Sequence, residues 1–136
     1  MTTWNERNTT VIEEFRANAG WVKGWEPLIL LTTTGAKSGQ PRIAPLMQVT
    51  EGDRLLAVAS KGGAPKHPDW YLNLLAHPQA TVEIGSEKYT VTARVLSGAE
   101  REQAFKRAVE VYPRYALYQE KTAREIPVIA LERQAQ

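Results

Sequence analysis

Two short segments of this chain carry the residue types that hold an anion. The first, TTTGAKSGQPR at residues 32–42, joins two β-forming runs. Its glycines permit close backbone approach, Ser38 offers a hydroxyl, and Lys37 and Arg42 add positive charge, a set that suits phosphate. It is not a Walker loop, because the glycine spacing before the lysine is wrong and a strand rather than a helix follows. The same composition suits an ordinary polar hairpin loop with two solvated cations, and the residues alone leave both readings open. The second segment, ASKGGAPKHPDWY at residues 59–71, ends a strand with Ser60 and Lys61 and then pairs Gly62 with Gly63. Adjacent glycines let main-chain amides face a ligand, and the helix expected next turns its favourable end toward an anion. Two such loops leaving adjacent strands would converge on one extended anionic ligand. Trp70 and Tyr71 read most simply as packing of that short helix.

A third group is Tyr112, Tyr115 and Tyr118, set around Pro113 and Arg114. Residues three apart share a helix face, so Tyr115 and Tyr118 should be neighbours. Phenols there can line an apolar pocket and give a hydrogen bond or a proton to a reduced product. Core or rim packing is the commoner use of tyrosines at this spacing.

The remaining composition narrows the chemistry. The chain has no cysteine, which removes disulfides, thiolate nucleophiles and Cys-ligated metals. His67 and His77 each precede a proline and show no metal-ligand spacing. Redox work would therefore need an organic cofactor. A net charge of +2 does not by itself indicate nucleic acid or membrane binding. Between residues 27 and 68, however, the only acids are Glu51 and Asp53, against Lys37, Arg42, Arg54, Lys61 and Lys66, which makes a local basic surface. The longest apolar run, 28–31, is far too short to span a bilayer, and residues 1–7 lack a signal-peptide core, so a cytoplasmic location is expected.

These groups need a scaffold, and 136 residues suit one domain, with 1–26 as an N-terminal helix and cover. Val11, Ile12, Phe15 and Ala19 predict a helix over 10–19 stopped by Gly20, with Trp21 and Trp25 covering one end of the core. Strands are expected at 28–34 and 42–50, the second at an edge or bulge because of Pro45. Glu51, Gly52 and Asp53 turn the chain into a strand over 54–60, and Pro68 starts a helix to about 76. A hairpin follows at 80–84 and 88–96. Ser97 and Glu100 form a capping-box pattern ahead of a helix with Ala104, Phe105, Ala108, Val109 and Tyr112 on its apolar stripe. Another helical turn begins at Pro113, and 126–131 reads as a buried strand. Hairpins with inserted helices predict an α+β chain whose antiparallel sheet curls into a small barrel.

The strings LLTTTGAKSGQPR, VASKGGAPKHPDWYLNL and VYPRYALYQ, in this order and at these separations, resemble the deazaflavin-dependent nitroreductase family, the class A reductases of actinobacteria that use coenzyme F420. The resemblance runs from about residue 28 to 131 and implies a split β-barrel related to FMN-binding barrels. It implies that Lys37 and Arg42 contact the coenzyme tail and phosphate with Ser38 beside them. Ser60, Lys61, Gly62 and Gly63 would lie along the coenzyme, Ser60 near the ring and the substrate. Trp70, Tyr71 and Asn73 match an element that walls the coenzyme groove, and Tyr112, Tyr115 and Tyr118 match tyrosines that shape the substrate pocket. In APLMQV, Met47 stands where some relatives carry tyrosine; a thioether is no proton donor, which sets efficient nitro reduction in doubt. The implied reaction is hydride transfer from reduced deazaflavin to an electron-poor carbon, with quinones and conjugated enones or lactones as acceptors.

Two competing expectations remain. An FMN-dependent split-barrel oxidoreductase would share the fold but need no site for an acidic tail. A non-catalytic coenzyme carrier or nucleic-acid-binding module would use the basic surface, yet the chain lacks a dense Lys/Arg stripe and any nucleic-acid motif. The expected state is a monomer or homodimer, with peripheral rather than transmembrane contact to any lipid.

Overall fold

The computed structural model describes residues 4–20, 22 and 27–134. Its elements are α1 (Trp4–Ala17), β1 (Leu28–Thr34), β2 (Pro41–Met47), β3 (Val49–Glu51), β4 (Arg54–Val58), α2 (Asp69–Ala76), β5 (Gln79–Ile84), β6 (Glu87–Val95), α3 (Gly98–Val111), α4 (Arg114–Lys121) and β7 (Val128–Arg133). All seven strands form one antiparallel sheet in the order β2-β1-β5-β6-β7-β4-β3. The end strands β2 and β3 are separated in sequence by Gln48 alone. The sheet must therefore curl until its two ends meet at that residue, which gives the expected α+β split barrel.

Alternation along the strands divides the apolar residues between the inside and outside of this curl. Ile29, Leu31, Leu55, Ala57, Val82 and Val91 fill the interior together with Trp70 and Leu74 of α2. Leu56, Val58, Val128 and Ala130 face outward and are covered by Ala104, Ala108 and Tyr115 of α3 and α4. Val11 and Phe15 of α1 cover Leu28 and Leu30 on the other outer face. β4 is thus buried on both sides, which accounts for its unbroken apolar run.

Several sequence expectations shift. α1 starts at Trp4, well before residue 10, and ends at Ala17, after which Ala19 and Gly20 turn the chain with φ of 52° and 98°. Gly20 is required there because a Cβ would lie 2.9 Å from the Cα of Gly85. Trp21 and Trp25 lie outside the described residues. The single run expected over 42–50 is two strands, since the chain changes neighbours at Gln48, whose amide bonds to the Pro27 carbonyl at 2.9 Å. Pro45 sits on the edge strand, opposite Leu30. Pro68 caps α2 in an extended conformation and does not start it. Ser97 caps α3 without a side-chain bond, and the Glu100 carboxylate, which a capping box would turn back to the Ser97 amide, is drawn away to Arg54 (2.9 Å) and Arg94 (3.0 Å). Those guanidinium groups hold the Glu100 carboxyl down to about 2. The last strand starts at Val128, since the backbone of Ile126 is engaged by Gln119 and Arg101 instead of a ladder.

Candidate active site

The two loops do not leave adjacent strands: β5, β6 and β7 lie between β1 and β4. They nonetheless open at the same end of the barrel. Four successive antiparallel pairings connect β1 to β4, so the two strands run in the same direction and their carboxyl ends share one mouth. Across the seam of the curl, β3 pairs with β4 from Val49↔Leu56 to Glu51↔Arg54, whereas β2 pairs only with β1. Continuing that register would set Met47 opposite Val58 and Pro45 opposite Ser60, but no such ladder forms. β2 and the end of β4 therefore border a slit. It is closed at Gln48 and opens toward loop 35–40 on one lip and loop 59–67 on the other.

The first lip is a self-bonded loop. Gly35 donates to the Gln40 carbonyl at 2.8 Å, Gly39 to the Gly35 carbonyl at 3.0 Å, and the Gln40 amide to Ser38 Oγ at 3.1 Å. Ser38 thus folds back over Gly35, while Lys37 and Arg42 extend into solvent. Asn73 fixes this loop from below: its Nδ2 donates to Thr33 Oγ1 at 3.0 Å and its Oδ1 accepts the Ala36 amide at 2.9 Å. Both Thr33 and Asn73 are buried. Asn73→Ala would remove both bonds, and a loss of roughly 1–3 kcal/mol is expected in urea unfolding. An unchanged midpoint would show that the loop does not need this tie.

The second lip has an unusual backbone. Ser60 is right-handed at φ −78° and ψ −39°, and Lys61, Gly62 and Gly63 follow with φ of 46°, 63° and 81°. A right-handed residue followed by a left-handed one points successive amides into a common concavity, which is an anion-binding nest. Lys61 occupies the left-handed region without being glycine, a conformation that persists only where its surroundings enforce it. On the far side, α4 approaches so closely that a Cβ on Gly63 would lie 2.8 Å from the Tyr118 carbonyl oxygen. Trp70 is buried in the barrel interior, and Tyr71 stacks at a tilt on His67 with ring centroids 4.8 Å apart.

The tyrosines border this lip. Tyr112 and Tyr115 meet edge to face at 5.1 Å, and Tyr118 lies 6.4 Å and 6.3 Å from them. Tyr115 is buried in the outer core, while Tyr112 and Tyr118 are half-buried. The neighbouring Tyr118 hydroxyl, and then burial, raise the Tyr112 phenol above its ordinary range; burial raises that of Tyr115. Both therefore keep their protons near neutrality. Met47 lies at the closed end of the slit, roughly 20 Å along β2 from Pro41 at about 3.3 Å per residue. It packs against the outer core that holds the tyrosines as well as the α1 core.

Sequence reasoning missed Arg124, Gln119 and Arg101. Gln119 Nε2 donates to the Arg124 carbonyl at 2.8 Å and its Oε1 accepts the Ile126 amide at 2.9 Å, while the buried Arg101 donates to Gln119 Oε1 and the Ile126 carbonyl. Together they fix segment 122–127, from which Arg124 reaches the second lip. No spacing pattern marks an isolated arginine in a connecting segment as anything but solvated.

Residues 4–133 match the family described as F420H(2)-dependent quinone reductase. An F420H(2)-dependent quinone reductase of Mycobacterium tuberculosis is 40% identical over 117 residues, which cover 82% of this chain and 77% of that protein. A solved F420-H2 dependent reductase is 52% identical, with a TM-score of 0.73 over 82% of this chain and 100% of the other. A second solved chain, described as a domain-swapped dimer, is 48% identical with a TM-score of 0.76 over 95% and 97%.

Proposed function

This chain belongs to the family of F420H(2)-dependent quinone reductases, and from that premise we propose that the slit between β2 and β4 is where coenzyme and quinone meet. The protein is an F420-dependent oxidoreductase acting on quinones. The observation that carries the assignment of the slit is the Ser60–Lys61 nest on one lip, facing the same mouth as Lys37 and Arg42 on the other. The donor set fits the coenzyme. Among the described residues no carboxylate pairs with Lys37, Arg42 or Lys61, which leaves these cations to a polyanion.

Lys37 and Arg42, with Ser38 beside them, hold the phosphate and acidic tail at the open end. Ser60, Lys61, Gly62 and Gly63 run along the body of the coenzyme. Trp70 and Asn73 support the mouth from beneath, and Tyr71 borders it through His67. When bound, the reduced deazaflavin supplies a hydride at its C5. The chain's own work is to orient the acceptor, exclude water and supply a proton. Ser60, a buried residue just past the end of β4, orients the acceptor carbonyl through its hydroxyl. Tyr118 and Tyr112 present phenols at the wall, and Tyr115 backs them from the core. Conjugated enones join quinones as acceptors of that hydride, and Met47, which has no proton to give, makes nitro compounds poor ones. The protein works as a monomer or homodimer, and a similar chain is described as a domain-swapped dimer. Among the described residues no helix is long and apolar enough to cross a membrane, and membrane quinones would be met from the cytoplasm by peripheral contact.

The test is anaerobic oxidation of the reduced coenzyme with a soluble benzoquinone, followed by the return of deazaflavin absorbance. Turnover is expected with wild type, and its absence would overturn the reading. Ser60→Ala and Tyr118→Phe should each lower kcat by roughly 10- to 100-fold while coenzyme affinity stays within about twofold. Equal losses in both quantities would remove these residues from the chemical step.

A further inference from the structure

Arg124 turns its guanidinium into the back of loop 59–67. Nε donates to the Ala64 carbonyl at 2.9 Å, Nη1 to the Ala59 carbonyl at 3.1 Å and Nη2 to the Ser60 carbonyl at 2.7 Å. Nη1 also lies 3.1 Å from His67 Nδ1. Among the described residues no carboxylate balances this half-buried charge, and burial weakens its hold on the proton. A desolvated cation is costly unless its donors are used, and here they are spent on loop carbonyls. Packing alone does not explain an arginine here.

Peptide geometry does. In a trans peptide the carbonyl and the amide point in opposite directions. With the carbonyls of Ala59 and Ser60 drawn onto Arg124, the amides of Ser60 and Lys61 face away from it. These are donors of the nest, and Lys61 is the residue held in the left-handed region. We propose that Arg124 is a positioning residue that holds the Ser60–Lys61 amides in their anion-receiving orientation, and that His67 completes the clamp only as neutral imidazole. The ligand in this proposal rests on the coenzyme reading above; the clamp itself does not.

The role of His67 follows from donor chemistry. A guanidinium only donates, so Nδ1 must accept and the ring proton must sit on Nε2. Around the imidazole stand Arg124 from segment 122–127 and the Tyr71 ring from α2, with Lys66 and Asp69 flanking it in its own stretch. Burial and then Arg124 lower the His67 pKa. The closed loop thus refuses a proton that the open loop accepts. Its contribution is complete above the ordinary histidine pKa of about 6.5 and declines as pH falls below it.

Three variants test the clamp, read in two ways. In coenzyme-free protein, amide-exchange protection at Gly63 and Ala64, whose amides bond to the Ser60 and Lys61 carbonyls, should fall in Arg124→Ala and in Arg124→Lys, which keeps the charge but loses the fork. Wild-type protection there should decline from about pH 7.5 to about 5.5, whereas in His67→Asn, whose Oδ1 can replace Nδ1 as acceptor without titrating, it should stay flat. By fluorescence titration, both Arg124 variants should bind F420 roughly tenfold or more weakly. Millimolar guanidinium chloride, but not sodium chloride, should restore part of the Arg124→Ala loss. Wild-type protection and affinity in Arg124→Lys would overturn the proposal, as would an unchanged pH trend in His67→Asn. If the protection pattern holds while wild type fails to bind F420, the clamp stands and the coenzyme reading falls.

Discussion

Gly63→Ala is expected to weaken coenzyme binding by about 100-fold, or roughly 3 kcal/mol, while the barrel stays folded. A Cβ there would lie 2.8 Å from the carbonyl oxygen and 3.1 Å from the Cα of Tyr118, and 3.1 Å from Lys121 Cβ. Two of these atoms are backbone, so either α4 or the loop must move. The residue also sits at φ 81°, where a side chain adds its own strain. Both costs fall on the lip that carries the nest and on the helix that carries Tyr118. Gly62 supplies the control. It has φ 63° but meets nothing within 4 Å, so Gly62→Ala should cost only about 1 kcal/mol, or roughly fivefold in affinity. Thermal melts by circular dichroism would verify folding, and fluorescence titration would compare the two affinities. Equal effects would mean that close packing of α4 on the loop does not matter.

Removing both cations of the first lip, with Lys37→Ala and Arg42→Ala together, should also weaken coenzyme binding by about 100-fold at low salt, if each charge-assisted contact contributes about 1.5 kcal/mol. Because both side chains are solvent-exposed, the difference from wild type should shrink as salt rises. Under saturating coenzyme, kcat should stay near wild type, since Lys37 and Arg42 lie on the lip across the mouth from the one that carries Ser60 and borders Tyr118. That is the reverse of the pattern expected for Ser60→Ala and Tyr118→Phe. A drop in kcat with unchanged affinity would place the lip in the chemical step and undo the division of labour.

Much of the scaffold is legible in the chain because its strands alternate and its turns are marked. Leu28–Thr34 is read to the residue, and Gly52 and Gly85 sit in two-residue turns where their left-handed φ is needed. The two loops are equally visible as loops, since glycines beside hydroxyls and lysines are a local signal. What escaped was non-local. Nothing in residues 42–50 shows that Gln48 joins the two ends of a seven-stranded sheet, although that junction creates the slit. The Ser97 and Glu100 pattern suggested a capping box because the competing partners, Arg54 and Arg94, are remote in sequence or belong to another strand. Nothing near Asn73 in sequence shows that both ends of its amide bind Thr33 and Ala36. Arg124 was invisible for the same reason: its four partners lie 57 to 65 residues away.

The most direct test of the slit is a residue-by-residue amide shift titration of the coenzyme-free protein with F420. Saturable shifts should concentrate at residues 36–40 and 60–63, with smaller ones near Tyr118. Saturable shifts confined to another face, with both lips unmoved, would contradict the slit as the binding site.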